Sequence, residues 1–371
     1  MRCPGLVLLL FGIVWPSARA EWKRSEPGWV FEFPRDELSH PDFKTEWWYF
    51  TGNLREPATG RAFGYQLTFF RQGVRPPGSR PPAATGFVTD HFWFAHFALS
   101  DLAADRFRAT ERVSRGSFGE AGSDPGDGEE RIVWIRDWSV VRDGAETGRY
   151  RLSADAPEEG LGLSLELRSA KPPVIHGVDG VSAKSPDPAN ASHYFSHPRL
   201  ATSGEIRIGD RRFQVEGASW YDREWSTSVL AEGMTGWDWF SIQFDGPEPE
   251  ELMLFRLRDR TGERGFSSGT WIHRDGRASP LADGSIRFTP LRLESSRDGK
   301  AAYPVEWRVE IPDRAVDLRL SAATPDQELR FATVRYWEGA MRIRGTVGGA
   351  PVSGSGYLEM TGYASDLPGL R

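Results

Sequence analysis

The chain has 371 residues, 39% hydrophobic and 26% charged, with a formal net charge of -6 at pH 7. Such a composition is that of a globular protein, and the length admits two domains or one large all-β domain. Its 46 basic residues include five lysines and alternate with acids instead of clustering, which excludes the concentrated positive surface of a nucleic-acid binder.

The first twenty residues, MRCPGLVLLLFGIVWPSARA, combine a basic residue, an apolar run from Leu6 to Trp15 and the triplet Ala18-Arg19-Ala20. This is the arrangement of a cleaved secretory signal. Residues 1–20 are therefore expected to be removed, with Glu21 beginning the mature chain and the protein secreted or periplasmic; high Arg, Pro and Gly with little Lys points to a bacterium. The apolar run is too short to span a bilayer. Cys3, the one cysteine, would leave with the signal, so the mature chain would have no disulfide, no thiol nucleophile and no thiolate metal site.

Beyond the signal, short alternating or aromatic-rich runs recur: "EWWYFTGNL" (46–54), "AFGYQLTFFR" (62–71), "HFWFAHFALSD" (91–101), "RIVWIRDWSVV" (131–141), "GEIRIGDRRFQVEG" (204–217), "WDWFSIQF" (237–244), "ELMLFRLRD" (251–259) and "YPVEWRVEIP" (303–312). Gly, Pro, Asn and Asp separate them, with Asp-Gly turn signals at 143–144, 275–276 and 298–299. The pattern predicts an antiparallel all-β sandwich or barrel. Residues 71–86 read as a Pro-rich surface loop and 119–130 as a polar hairpin tip. The stretch 171–200 reads as long and irregular, dividing the mature chain into domains 21–200 and 201–371. The halves echo each other: "EWWYFTGNL", "YQLTFFR" and "FWFAH" resemble "GWDWFSIQF", "LMLFRLR" and "GTWIH", placing His96 and His273 alike.

The candidate chemistry centres on "ASWYDREWSTS" (218–228). Strand alternation puts Trp220, Asp222 and Glu224 on one face, and Tyr221, Arg223 and Trp225 on the other. If the first face points into a barrel, two carboxyls lie beneath an aromatic wall, where burial and mutual repulsion raise a carboxyl pKa and suit it to general-acid work. The alternative is a set of ion pairs fixing a strand end. "TEWWYFTG" divides the same way, with Glu46, Trp48 and Phe50 against Trp47, Tyr49 and Thr51. An inward Glu46 would need Arg71 or Arg223 as partner. "GWDWF" sets Trp237 and Trp239 together with Asp238 opposite. Isolated carboxyls among so many tryptophans fit a mostly apolar ligand pocket; a tryptophan-rich core fits equally. Among the histidines, His96 is the preferred pocket residue, and His193 and His197 have i,i+4 spacing in an irregular segment. No HExxH, G-x-S-x-G, phosphate loop or dinucleotide fingerprint occurs, so neither a metal site, a serine hydrolase nor a nucleotide cofactor has support.

Taken in order, "HPDFKTEWWYFTGNL", "HFALSD", "KPPVIHGVDGVSAKS", "ASWYDREWSTS", "GWDWFSIQF", "ELMLFRLR", "YWEGA" and "GYLEMTGY" resemble the secreted AttH-like proteins, which are grouped with carotenoid 1,2-hydratases (hydroxyneurosporene synthases). The resemblance runs from about residue 40 to 365. It implies two lipocalin-like antiparallel β-barrel domains packed together, with an apolar ligand cavity in or between them. It also implies either hydratase-type addition of water to an isolated C=C bond, without cofactor, or carriage of a lipophile for an inner-membrane ABC transporter. With its export signal the chain looks closer to the AttH-type branch than to the carotenoid hydratases. On the hydratase reading Asp222 donates the proton, Glu224, His96 and Tyr221 assist, and His96 or His193 orients water. Glu46, Trp47, Trp48, Tyr49, His193, Trp220, Trp225, Trp237 and Trp239 would line the site.

Overall fold

The structure, a computed structural model, describes residues 21–80, 88–123, 131–144, 147–262, 265–365 and 367. The expected signal, residues 1–20, lies outside the described residues, as do parts of the Pro-rich loop and of the polar tip. The described residues contain strands and three short 3-10 turns, and no α-helix.

Two large antiparallel sheets account for the strands. The first contains β1 (Thr45–Arg55), β2 (Ala62–Gly73), β3 (His91–Asp101), β4 (Arg106–Ser114), β5 (Ala121–Gly122), β6 (Arg131–Ile135), β7 (Trp138–Arg142), β8 (Arg149–Ala156), β9 (Leu161–Ser169), β10 (Val174–Ile175), β11 (Ser182–Ala183), β12 (Ala191–Ile208) and β13 (Arg211–Ser228). The second contains β14 (Met234–Phe244), β15 (Glu251–Asp259), β16 (Gly265–Ile272), β17 (Ala278–Leu281), β18 (Arg287–Ser295), β19 (Ala302–Ile311), β20 (Val316–Ala322), β21 (Glu328–Arg330), β22 (Arg335–Val347) and β23 (Ala350–Met360). Each sheet curls around its own apolar core, the first around Phe50, Phe97, Trp138 and Tyr221, the second around Phe240, Trp307, Leu318 and Trp337. The result is two lipocalin-like barrels packed together.

The two sheets share an order of nine strands. The second runs β17-β16-β15-β14-β23-β22-β20-β19-β18, and the first runs β4-β3-β2-β1-β13-β12-β9-β8-β7 and then continues through β6 and β5. Each therefore opens with a meander whose first strand pairs with the sheet's last. The sequence echo falls on these meanders, β1–β3 and β14–β16. His273 does not share the position of His96: it lies beyond the end of β16, against Glu250 and Ser279. The change of sheet comes between Ser228 and Met234 rather than at residue 200, because the β12–β13 hairpin folds back and pairs β13 with β1. The 171–200 stretch is also less irregular than expected. "HYFSH" lies in β12 and alternates, sending Phe195 into the first barrel and Tyr194 to its outside.

The barrels meet along the outer faces of β1, β2, β13 and β14, β15, β22, β23. Gly64 permits the approach: a Cβ there would lie 2.6 Å from the Tyr357 hydroxyl and 3.1 Å from Ala340 Cβ. Polar links cross the join. Lys171 Nζ bonds Glu251 at 2.6 Å, Gln243 Nε2 donates to Pro198 O at 2.8 Å, and Trp239 Nε1 donates to the Tyr194 hydroxyl at 3.1 Å.

Candidate active site between the barrels

Between the outer faces lies a cavity of about 300 Å³. Trp47 and Tyr49 of β1, Phe70 of β2, Phe94 and His96 of β3, and Asp222 and Glu224 of β13 form one wall. Trp237 and Trp239 of β14, Phe255 and Leu257 of β15, Tyr336 of β22 and Glu359 of β23 form the other. Lys184, just past β11, completes the β13 end. The lining is mostly apolar with a few convergent polar groups, the usual constitution of a small-molecule site.

Asp222 is buried, and both Ser196 Oγ and Trp220 Nε1 (2.6 Å) donate to its Oδ1. The Tyr194 hydroxyl bonds the same carboxyl. None of these donors is charged, so burial dominates and pushes Asp222 up to about 8. Ser196 is in turn held by His176, whose Nε2 lies 2.6 Å from Ser196 Oγ and whose Nδ1 lies 2.8 Å from Thr270 Oγ1 of the second barrel. The single Ser196 proton goes to Asp222, so His176 Nε2–H donates to Ser196 and Thr270 donates to Nδ1. A chain of donors thus runs from β16 to the acid.

Glu224, next on the same face, forms an ion pair with Lys184 at 2.8 Å. Across the cavity Glu359 accepts from Trp237 Nε1 at 2.7 Å, and burial pushes it up to about 7. Its cross-strand neighbour Glu338 accepts from the Tyr49 hydroxyl at 2.5 Å and is driven well above the usual carboxylate range by burial, then by the charge of Glu359. His96 Nδ1 lies 2.8 Å from the Tyr336 hydroxyl, and burial pushes the imidazole down to about 3. Among the described residues no three His, Cys, Asp or Glu side chains are grouped to hold a metal ion.

Of the residues expected at the site, Asp222, Glu224, His96, Trp47, Tyr49, Trp237 and Trp239 line the cavity. Trp220 lies behind them as a donor to Asp222. The strand faces divide as expected, but the cavity is on the outside of the first barrel, so the partner faces go to its core. Tyr221 stacks on Phe50 with ring centroids 4.1 Å apart. Trp225 stacks on His40 at 3.8 Å. Trp48 lies under the Arg223 guanidinium at 3.9 Å and donates to Glu37 O. His193 Nδ1 donates to Gly180 O, and its ring packs on Trp29. Glu46 is clamped by both Arg71 and Arg223, the partners its burial requires. These five do not line the cavity. Lys184, Glu338, Glu359, Tyr336, Ser196 and His176 are new. Alternation along "GYLEMTGY" was available for Glu359; nothing local marks His176, which reaches Asp222 only through the fold.

A family model described as AttH-like matches residues 24–363. The chain belongs to the AttH-like family. A protein assigned as AttH from Nitrosomonas europaea has a crystal structure similar to this one, with a TM-score of 0.81 and 33% identity over 92% of this chain and 99% of that one. Kievitone hydratase from Fusarium solani subsp. phaseoli is 27% identical over 171 residues, 44% of this chain and 47% of that protein; the match thus spans about half the length of that curated relative. The structure of kievitone hydratase from Nectria haematococca superimposes with a TM-score of 0.70 at 15% identity, over 94% of this chain and 97% of that one, a likeness of fold. The motif strings quoted from the sequence therefore identify the family correctly for this AttH-like chain.

Proposed function

We propose that this AttH-like protein binds an unsaturated lipophile between its barrels and adds water across a C=C bond by acid catalysis. The observation carrying the proposal is Asp222: a carboxyl that burial among neutral donors holds protonated at neutral pH, on the wall of an aromatic cavity. Protonating an alkene needs an acid that still carries its proton at the working pH, which the raised Asp222 does. The proton leaves the Asp222 carboxyl as the alkene π pair forms the new C–H bond. The resulting cation is faced by Trp47, Tyr49, Trp237 and Trp239, whose ring faces attract positive charge. Water then forms the C–O bond and gives a proton to Glu359, which burial places close to neutrality. Return of that proton to Asp222 closes a cycle whose net change is addition of one water. The hydratase named among the relatives supports this reading.

We further propose that residues 1–20 direct export and that the site works outside the cytoplasm. The test starts with organic extraction of protein purified from its own host, identifying what is bound by mass spectrometry. The extracted alkene is then incubated with wild type and Asp222→Asn in H₂¹⁸O. Incorporation of ¹⁸O by wild type and at least a hundredfold loss in the variant is the expected result. Tight binding without turnover, unchanged in Asp222→Asn, would instead make the protein a carrier, of the kind that could serve an ABC transporter.

A further inference from the structure

The cavity has a second polar end. Asp222 is paired with Tyr49, Tyr49 with Thr68, and Thr68 with His96, so these residues form one row across β13, β1, β2 and β3. Paired residues share a face, and three interstrand steps of about 4.8 Å put Asp222 and His96 roughly 14 Å apart. The wall between them is apolar: Trp47 and Tyr49 give way to Phe70 and Phe94, which stack at 4.6 Å beside His96. Lys184, Asp222 and Glu224 lie at the β13 end.

At the β3 end the hydrogen-bond pattern fixes what His96 offers. Gln66 Nε2 donates to the Tyr336 hydroxyl oxygen at 2.7 Å. The Tyr336 proton then points to His96 Nδ1, 2.8 Å away, and the ring proton sits on Nε2. Among the described residues that Nε2 has no hydrogen-bond partner, although His96 is fully buried in the cavity wall. A buried donor left unpaired is costly and calls for an acceptor. A neutral imidazole donor, with Lys184 the one Lys or Arg in the lining, suits a neutral oxygen better than a carboxylate or phosphate.

Resting on the cavity as the site of acid-catalysed addition, we infer that the ligand is an oxygenated lipophile: its reacting C=C lies at Asp222, and a carbonyl or hydroxyl oxygen on the order of 10 Å or more away along the row accepts a hydrogen bond from His96 Nε2. A purely hydrocarbon polyene leaves that donor unused. His96 is then a specificity-determining residue, separate from the proton transfer.

The test uses a matched pair of probes, farnesylacetone and the hydrocarbon in which its C=O is replaced by CH₂, delivered from cyclodextrin to the full mature protein. Quenching of the wall tryptophans reports binding, so no turnover is required. The quantity read is the ratio of the two affinities, which cancels the difference in hydrophobicity when wild type and variant are compared. His96→Phe is expected to shift the ratio about fivefold against the ketone, the worth of one hydrogen bond, while binding of the hydrocarbon is kept. His96→Gln, which retains an N–H donor, should keep much of the wild-type ratio and serves if the Phe variant fails to fold. Asp222→Asn should leave the ratio unchanged even where it abolishes hydration, which separates this inference from the catalytic reading. A ratio that neither His96 variant moves by more than twofold, or a wild type that binds neither probe, overturns it.

Discussion

Glu46 and Asp222 look alike in the sequence, each a carboxyl set among tryptophan and tyrosine, and both end fully buried on adjacent paired strands. They finish at opposite extremes. Glu46 points into the first barrel, where burial would raise it but the Arg71 and Arg223 guanidiniums hold it well below the usual carboxylate range. Asp222 points out of the barrel, where burial meets only neutral donors and leaves it at about 8. Burial sets the cost of the charge in each case, and the charge of the partners decides who bears it. One carboxylate is a structural ion; the other is a stored acid.

The largest expected effect breaks the first half of that comparison. Arg223→Met removes one guanidinium and leaves a buried carboxylate short of a partner, for which the expected loss is about 3–5 kcal/mol. Urea unfolding of the variant should show the midpoint falling with the slope unchanged. Replacing Asp222 by Asn removes no charge at neutral pH, so its urea midpoint should not fall while its turnover does. Loss of stability in both variants would mean that the two carboxyls are equivalent.

The two groups also give stability opposite dependences on pH. The folded state holds the Asp222 proton to about 8, whereas the unfolded carboxyl gives it up near 3.8, so the folded state binds the extra proton in between and stability falls as pH rises across that window. Glu46 is lowered in the folded state, so its contribution is present at neutral pH and is lost as pH falls through and below the ordinary value of 4.5. Asp222→Asn should therefore match wild type in thermal stability near pH 4 and exceed it progressively towards pH 8. A tenfold difference in proton affinity between the folded and unfolded chains is worth about 1.4 kcal/mol, so even part of the difference at Asp222 is measurable. Turnover needs Asp222 protonated and Glu359 ionised, and their positions near 8 and 7 predict a narrow bell between them, read as apparent values of the coupled site.

The difference between the two carboxyls explains how far the sequence could be read. Alternation in "ASWYDREWSTS" and "TEWWYFTG" sorted every residue to the correct face, and the need of Glu46 for Arg71 or Arg223 followed from charge burial alone. Which face held the site did not follow. A single barrel has its ligand space inside, but here Trp48, Tyr221 and Trp225 fill the first barrel and Trp29, Phe31 and Phe33 pack against that core. The cavity arises only when a second barrel of the same strand order covers the outer face. For the same reason Glu359 and Glu338, more than a hundred residues from Asp222, had no local signal tying them to it. The boundary at residue 200 failed because β12 and β13 pair back to β1, a long-range contact that a run of turn residues does not reveal.

The smallest predicted effect sharpens the second half of the comparison by asking what the neutral donors contribute. Ser196, His176 and Thr270 hand hydrogen bonds in one direction to Asp222 Oδ1. A donor favours the charged carboxylate over the neutral acid, so the chain restrains the rise that burial causes. Ser196→Ala should therefore raise the Asp222 pKa further, moving the alkaline limb of the pH–rate profile upward. His176→Phe should move it less, because Ser196 can still donate, and Thr270→Val least. Each hydrogen bond is worth about 1 kcal/mol, so the expected movement for Ser196→Ala is under one pH unit. The Asp222 carboxyl stretch in difference infrared spectra reads the same titration without substrate. A limb that moves down, or an order of effects that does not follow distance along the chain, would show that these donors merely fill space behind the acid. In the expected order, the strength of an acid on the first barrel depends on a threonine of the second, and the packing of the two barrels becomes part of the chemistry.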